Sequence, residues 1–72
     1  MATADRTYKM TKLIGESATS IEDAVRVALT TSGEKVHGQS WAEIHDLRAR
    51  LSDGGDVELW QVTVEVAFEV DR

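Results

Sequence analysis

The chain has 72 residues, of which 42% are hydrophobic and 29% are charged, and its formal net charge of −5 disfavours binding to the phosphate backbone of nucleic acids. It has no cysteine and only two histidines, and no apolar run approaches the roughly 18 residues of a membrane span. We therefore predict a single small domain over residues 1–72, with no disulfide, no metal site and neither a nucleic acid nor a membrane as partner. The N-terminal segment MATADRTYKM lacks the apolar stretch of a secretory signal, so we expect a cytoplasmic protein.

The small size of the chain predicts self-association. Below about 70–80 residues a single hydrophobic core rarely supplies more than about 3–5 kcal/mol of stability. Disulfides and structural metals are the usual reinforcements besides oligomerisation, and the sequence predicts neither. A homo-oligomer is therefore the expected state.

The first half of the chain predicts a strand followed by a helix. The segment RTYKMTKLIGE alternates weakly between polar and apolar residues and predicts a strand that ends at Gly15. Ser17 and Ser20 are both candidate N-caps, and Asp23 lies at the third helical position after Ser20. From Ile21 the apolar residues recur at helical spacing. The helix is expected either to end in the poor helix-forming segment TTSG, residues 30–33, or to continue to Val36 and stop near Gly38.

The second strand begins at Trp41 and changes the parity of its apolar residues in mid-course. A strand cannot exchange its two faces without an additional residue, so we predict a β-bulge near His45 and Asp46. With this bulge, one set of residues would face the helix: Ala42, Ile44, Leu47, Ala49 and Leu51. The residues that would face away from it are Trp41, Glu43, Asp46, Arg48 and Arg50.

The third strand follows the hairpin loop SDGGD and is the clearest element of the sequence. Its apolar stripe consists of Trp60, Val62, Val64, Val66, Phe68 and Val70. The predicted fold is therefore α+β, with the order β-α-β-β and a three-stranded antiparallel sheet packed on one helix. Such a sheet has two unprotected edges and one uncovered face, which is a second reason to expect a homo-oligomer.

Three segments together resemble the dodecins, a family of small flavin-binding proteins. They are LIGES, WAEIHDLRA and DGGDVELWQVTVEVAFEVD, and the resemblance extends over residues 8–71 in the order and spacing of the family. It implies a hollow homododecamer that binds flavins, such as riboflavin or FMN, in pairs between subunits. By the same resemblance Trp41 stacks on the flavin ring, Gln61 holds its polar edge and Asp46 contacts the flavin side chain. Arg48 matches an arginine that is common in bacterial members.

Two positions depart from the bacterial pattern of this family. Ala42 stands where bacterial members usually carry an aromatic residue, and the segment WAE is closer to the archaeal pattern. The preferred flavin therefore stays open. Glu69 stands where many bacterial members carry an arginine, so a coenzyme A contact made by that arginine is not expected here.

Counting residues back from the hairpin loop places Trp41 and Gln61 far apart in one chain. Leu47 then pairs approximately with Gln61, and Asp46 and Arg48 become its near neighbours. Trp41 lies about six residues further along, which is roughly 20 Å at about 3.3 Å per residue. One flavin cannot contact both side chains of the same chain, so we expect a second subunit to complete the site.

Other interpretations of the same residues stay open. Trp41 could pack in a subunit interface without a ligand, and Gln61 could be a solvated strand residue. His45 and Asp46 are expected to point to opposite faces, as neighbours in a strand do, which disfavours a catalytic pair. We predict a non-enzymatic flavin store. The alternatives are a small α+β protein-interaction module that uses the exposed sheet face, and a small enzyme with His45 as its acid or base.

Overall fold

The computed structural model describes residues 5–70, and in this range it contains one helix and three strands. The elements are β1 (Tyr8–Ser17), α1 (Ile21–Lys35), β2 (Gln39–Leu51) and β3 (Val57–Glu69). Both β1 and β2 pair antiparallel with β3, so the strand order is β1-β3-β2. The predicted α+β fold, with its β-α-β-β order and three-stranded antiparallel sheet, is confirmed.

Two serines determine how β1 passes into α1. The Ser20 side chain accepts a hydrogen bond from the backbone N–H of Asp23 at 3.0 Å, so Ser20 is the N-cap. Ser17 is instead the last residue of β1, two positions beyond the predicted strand end, and it is buried. Its hydroxyl donates to a carboxylate oxygen of Asp23 at 2.7 Å and accepts from the N–H of Thr19 at 2.9 Å. The polar groups of this connection are thereby satisfied within a few residues.

The helix continues through residues 30–33 and ends at Lys35. Val36 is extended, and its N–H donates to the Ser32 carbonyl at 3.0 Å. Gly38 then adopts a φ of 79°, which residues with a side chain rarely adopt. The alternative that the helix ends within TTSG is wrong, and the end near Gly38 is the better prediction.

A small-residue contact lets α1 lie close to β1. A Cβ atom on Gly15 would collide with the carbonyl oxygen of Ala24 and would come within 2.9 Å of the Ala28 Cβ. Ala24 and Ala28 are buried in the same layer. Beneath them lies the centre of the predicted apolar stripe of β3, namely Val62, Val64 and Val66, each at most 1% exposed. Trp60 packs against this core but is only partly buried.

The helix lies over β1 and β3, and from β2 it is Ala42 that packs against the core. The predicted bulge is confirmed, because the register of β2 against β3 shifts between Ile44 and Asp46. The prediction that the apolar residues of β2 face the helix side agrees with the register, in which Ala42, Ile44, Leu47 and Ala49 are opposite Val66, Val64, Val62 and Trp60. The helix does not bury most of this row, since Ile44, Leu47 and Leu51 are 58%, 55% and 58% exposed. A helix about 10 Å wide spans about two strands spaced about 4.8 Å apart, and β2 is the third. These residues, which we call the β2 ridge, lie on the helix side of the sheet without a cover.

Candidate functional site

The sheet face turned away from α1, which we call the open face, carries all four predicted site residues. Residues directly opposite each other in an antiparallel pair have their side chains on the same face. The valines of the core occupy the helix side of β3, so the residues that alternate with them belong to the open face. The relevant pairs are Trp41 with Ala67, Asp46 with Thr63 and Arg48 with Gln61.

One end of the open face holds a group of polar side chains, which we call the polar cluster: Glu16, Asp46, Arg48, Arg50 and Gln61. Nε2 of Gln61 donates to Oε2 of Glu16 at 2.7 Å, and the same oxygen lies 3.9 Å from Nη2 of Arg50. Nη2 of Arg48 lies 3.9 Å from Oδ2 of Asp46. Because these ion-paired side chains are exposed, the pairs contribute little to stability and can exchange for contacts with a ligand.

The polar cluster includes one residue that the sequence analysis did not identify. Glu16 lies on β1, and its place beside Gln61 depends on the register between β1 and β3, in which the two residues are partners. Pairing between strands that are distant in sequence leaves no local signal. The prediction that Arg48 lies near Gln61 is confirmed, and the exact partner of Gln61 is Arg48 rather than Leu47.

The other end of the open face holds a hydrophobic group, which we call the aromatic cluster: Tyr8, Met10, Trp41 and Ala67. The ring centroids of Tyr8 and Trp41 are 4.9 Å apart, with an angle of 58° between the ring planes. Trp41 is nevertheless 46% exposed, and Met10 is 43% exposed. Ala67 is fully buried between its cross-strand partners Met10 and Trp41. A large part of the indole therefore remains available for stacking.

The β-bulge changes the interpretation of His45. Nε2 of His45 lies 2.8 Å from Oε1 of Glu65 and 3.3 Å from Oε1 of Glu43. Those two glutamates are partners in the ladder on the open face, so His45 points to this face as well. The expectation that His45 and Asp46 point to opposite faces is wrong, because the extra residue of the bulge interrupts the alternation. His45 contacts glutamates rather than Asp46, and the geometry shows no His45–Asp46 pair.

A shallow pocket of about 190 Å³ lies beside Trp41 on the helix side of the sheet, lined by Leu29, Gln39, Ser40, Trp41, Ala42 and Val66. Small-molecule sites typically enclose about 300–1,000 Å³. This pocket is smaller than that range, so it does not enclose a ligand of the size of a flavin.

The family of the chain follows from its match along nearly the whole length. A model of the dodecin family matches residues 7–71. The chain belongs to the dodecin family. The resemblance in the sequence is thereby confirmed, and family membership supports a small, oligomeric, flavin-binding protein.

Individual dodecins agree with this assignment. The dodecin of Thermus thermophilus is 29% identical over 67 residues, which cover 93% of this chain and 96% of the relative. The solved structure of the dodecin from Streptomyces davaonensis has a TM-score of 0.88 at 30% identity and covers 96% of this chain and 100% of that chain. The Streptomyces coelicolor dodecin has a TM-score of 0.88 at 28% identity, with 97% and 99% covered. These structures share the fold described for this chain.

The two clusters of the open face lie at opposite ends of the dodecin sheet. Trp41 is opposite Ala67, and the other cluster includes Gln61, six positions earlier in β3. At about 3.3 Å per residue, these two positions are about 20 Å apart. The predicted separation of Trp41 and Gln61 is therefore borne out by the register. No helix within residues 5–70 is long and apolar enough to cross a membrane.

Proposed function

We propose that this dodecin forms a homododecamer that stores or sequesters a flavin, riboflavin or FMN, at its subunit interfaces in the cytoplasm, without catalysing a reaction. The observation that carries this proposal is the division of the open face into an aromatic cluster and a polar cluster, in which Trp41 and Gln61 lie about 20 Å apart along the strands. A flavin is flat and apolar in its ring system and has polar groups along one edge and in its side chain. The isoalloxazine ring is too short to reach both Trp41 and Gln61 of one chain, so each ligand is completed by another copy.

Trp41 supplies the stacking surface in this proposal. The residue is 46% exposed, although Tyr8 and Met10 lie beside it on the open face. An exposed indole held by neighbours keeps its orientation and offers a wide apolar surface. Stacking of a flat heterocycle on a protein aromatic contributes about 1–3 kcal/mol, by analogy with nucleic-acid bases. Trp41 is therefore the largest single contributor to flavin affinity.

The polar cluster supplies directional contacts. The amide of Gln61 can donate and accept at once, which matches the alternating carbonyl and N–H groups along the polar edge of the flavin. Asp46 and Arg48 lie two ladder pairs apart on the same face and provide an acceptor and a donor for the hydroxyl groups of the flavin side chain. A phosphate, where present, would favour the Arg48 guanidinium.

The β2 ridge supports assembly. Ile44, Leu47 and Leu51 are each more than half exposed and lie in a row on an edge strand. Exposed apolar residues in a contiguous patch mark a surface that is buried by a partner. Since the ridge lies on the opposite side of the sheet from the two clusters, one chain can contact neighbours through both faces. A closed particle in which several chains meet is consistent with this arrangement.

The proposal is tested by the colour and the mass of the purified protein. We expect a yellow protein with a flavin absorbance spectrum and, by native mass spectrometry, a particle of about 95 kDa, which is twelve chains of 7.9 kDa. Titration of the apoprotein with riboflavin and with FMN identifies the preferred ligand. A colourless monomer that binds neither flavin would contradict the proposal and would favour a protein-interaction module that uses the open face.

A further inference from the structure

Three ionisable side chains meet in the middle of the open face, between the aromatic cluster and the polar cluster. They are Glu43, His45 and Glu65, and their nearest ligand atoms all lie within 4.8 Å of one another. Glu65 is the least exposed of the three, with 28% of its side chain accessible. The predicted absence of a metal site rested on the lack of cysteines and of paired histidines, and it did not consider ligands brought together by strand pairing.

The backbone brings two carboxylates together, and a bound cation would reduce the electrostatic repulsion between them. Glu43 and Glu65 are directly opposite each other in the ladder, where like charges destabilise a sheet. The β-bulge then adds His45 to the same face, so that one imidazole nitrogen lies near both carboxylates. A neutral imidazole can donate only one hydrogen bond from Nε2 and compensates neither charge. Lys12, the partner of Glu65 on β1, brings one positive charge to the same face, so one net negative charge remains on this group.

We propose that Glu43, His45 and Glu65 bind a divalent transition-metal cation of the zinc class. Zn²⁺ binds imidazole nitrogen and carboxylate oxygen at about 2.0–2.2 Å in a tetrahedral arrangement, which places neighbouring ligand atoms about 3.3 Å apart. The separations from the His45 nitrogen to the two carboxylate oxygens, 2.8 and 3.3 Å, are close to this value. The fourth position is left for water or for a group from another subunit.

The donor set also distinguishes between classes of cation. An imidazole with two carboxylates suits Zn²⁺, Co²⁺ or Ni²⁺, whereas Ca²⁺ and Mg²⁺ prefer six or more oxygen ligands. The bound ion also ties β2 to β3 at the bulge, where the ladder is interrupted.

The test is a calorimetric titration of the assembled protein with ZnCl₂ after dialysis against a chelator. We expect one Zn²⁺ per chain, an affinity about 10-fold or more weaker in His45→Gln and in Glu65→Gln, and wild-type affinity in His37→Gln. His37 is the matched control because it is the other histidine of the chain and is exposed. Co²⁺ in place of Zn²⁺ provides a second measurement, since tetrahedral coordination by nitrogen and oxygen gives intense visible absorption bands.

Several results would overturn the proposal. One is Zn²⁺ binding that is unchanged in His45→Gln, or that is lost equally in His37→Gln. Another is displacement of Zn²⁺ by equal concentrations of Mg²⁺ or Ca²⁺, which would indicate unspecific attraction to an acidic surface. If His45→Gln fails to assemble, the Zn²⁺ affinity of Glu65→Gln is compared with that of His37→Gln instead. Equal affinities in these two variants would overturn the proposal. Absence of measurable binding to the wild type would show that His45 only forms hydrogen bonds with the two glutamates.

Discussion

The strands β2 and β3 are both 13 residues long and both carry apolar side chains on the helix side of the sheet, yet these side chains differ in burial. The apolar residues at the centre of β3 are at most 1% exposed, whereas those of the β2 ridge are more than half exposed. The cause is position in the sheet, because β3 lies in the middle under the helix and β2 lies at an edge beyond it. An amphipathic strand pattern therefore predicts that one face of the strand is buried. It does not predict whether the same chain or another copy covers that face.

The largest expected effect is a loss of stability in the part of the sheet that the chain's own helix covers. Gly15→Val would place a side chain where the carbonyl of Ala24 and the methyl group of Ala28 already lie. We expect a loss of about 3 kcal/mol or more in the free energy of unfolding, at or beyond the upper end of typical overpacking. Gly54→Ala is the matched control, since a Cβ there meets nothing within 4 Å. Chemical denaturation measures both variants, and equal stability of the two would contradict the close helix–strand contact.

The next effect concerns the half that another copy is expected to cover. Leu47→Asp adds a charge to the β2 ridge, on a side chain that is 55% exposed in the chain itself. We expect the particle to dissociate while the far-ultraviolet circular dichroism of the chain keeps its strand and helix signals, because burying an unpaired charge in an interface is costly. Size-exclusion chromatography measures the change. Glu58→Gln, at an exposed position of β3, serves as the control. A Leu47→Asp variant of unchanged mass would show that the ridge is not an interface.

A smaller effect is expected on the open face at Trp41. Trp41→Ala removes the stacking surface, and we expect flavin binding to weaken by about 10- to 100-fold, which corresponds to about 1–3 kcal/mol. An indole in contact with an excited flavin donates an electron, so the fluorescence of bound flavin should also rise in this variant. Fluorescence titration measures both quantities. Trp60→Phe is the control, since Trp60 packs against the core under the helix and should affect stability rather than quenching. Unchanged flavin affinity and unchanged quenching of flavin fluorescence in Trp41→Ala would refute the stacking role.

The smallest effect is expected at Gln61. Gln61→Ala removes one side-chain amide that now donates to Glu16 at 2.7 Å, and we expect flavin affinity to fall by about 0.5–1.5 kcal/mol. The residual complex should stay quenched, because the stacking surface is intact. The same fluorescence titration measures the flavin affinity and the quenching of the bound flavin separately. A loss of quenching in Gln61→Ala would mean that Gln61 holds the whole flavin ring in its stacked position, rather than contacting only the polar edge of the ring.

Local patterns in the sequence predicted more of the fold than of the candidate site. The Ser20 cap, the stripe of β3 and the bulge of β2 each have a signature within a few residues, and each was predicted. The helix covers only two strands, which depends on sheet order, and the sequence analysis did not determine where β1 would pair. For the same reason it missed Tyr8 beside Trp41 and Glu16 beside Gln61, which are brought there by strand pairing across the chain.

The bulge at His45 also constrains how the gene can change over evolutionary time. Substitutions in β2 alter one side chain each, but deletion of His45 would restore an uninterrupted alternation. Trp41 and Glu43 would then stay on the open face and Ala42 and Ile44 on the helix side, because the residues on either side of His45 already pair with consecutive residues of β3. Descendants of this sequence can therefore lose the codon for His45 without exchanging the two faces of β2, whereas deletion of Ala42 would turn Trp41 toward the helix side.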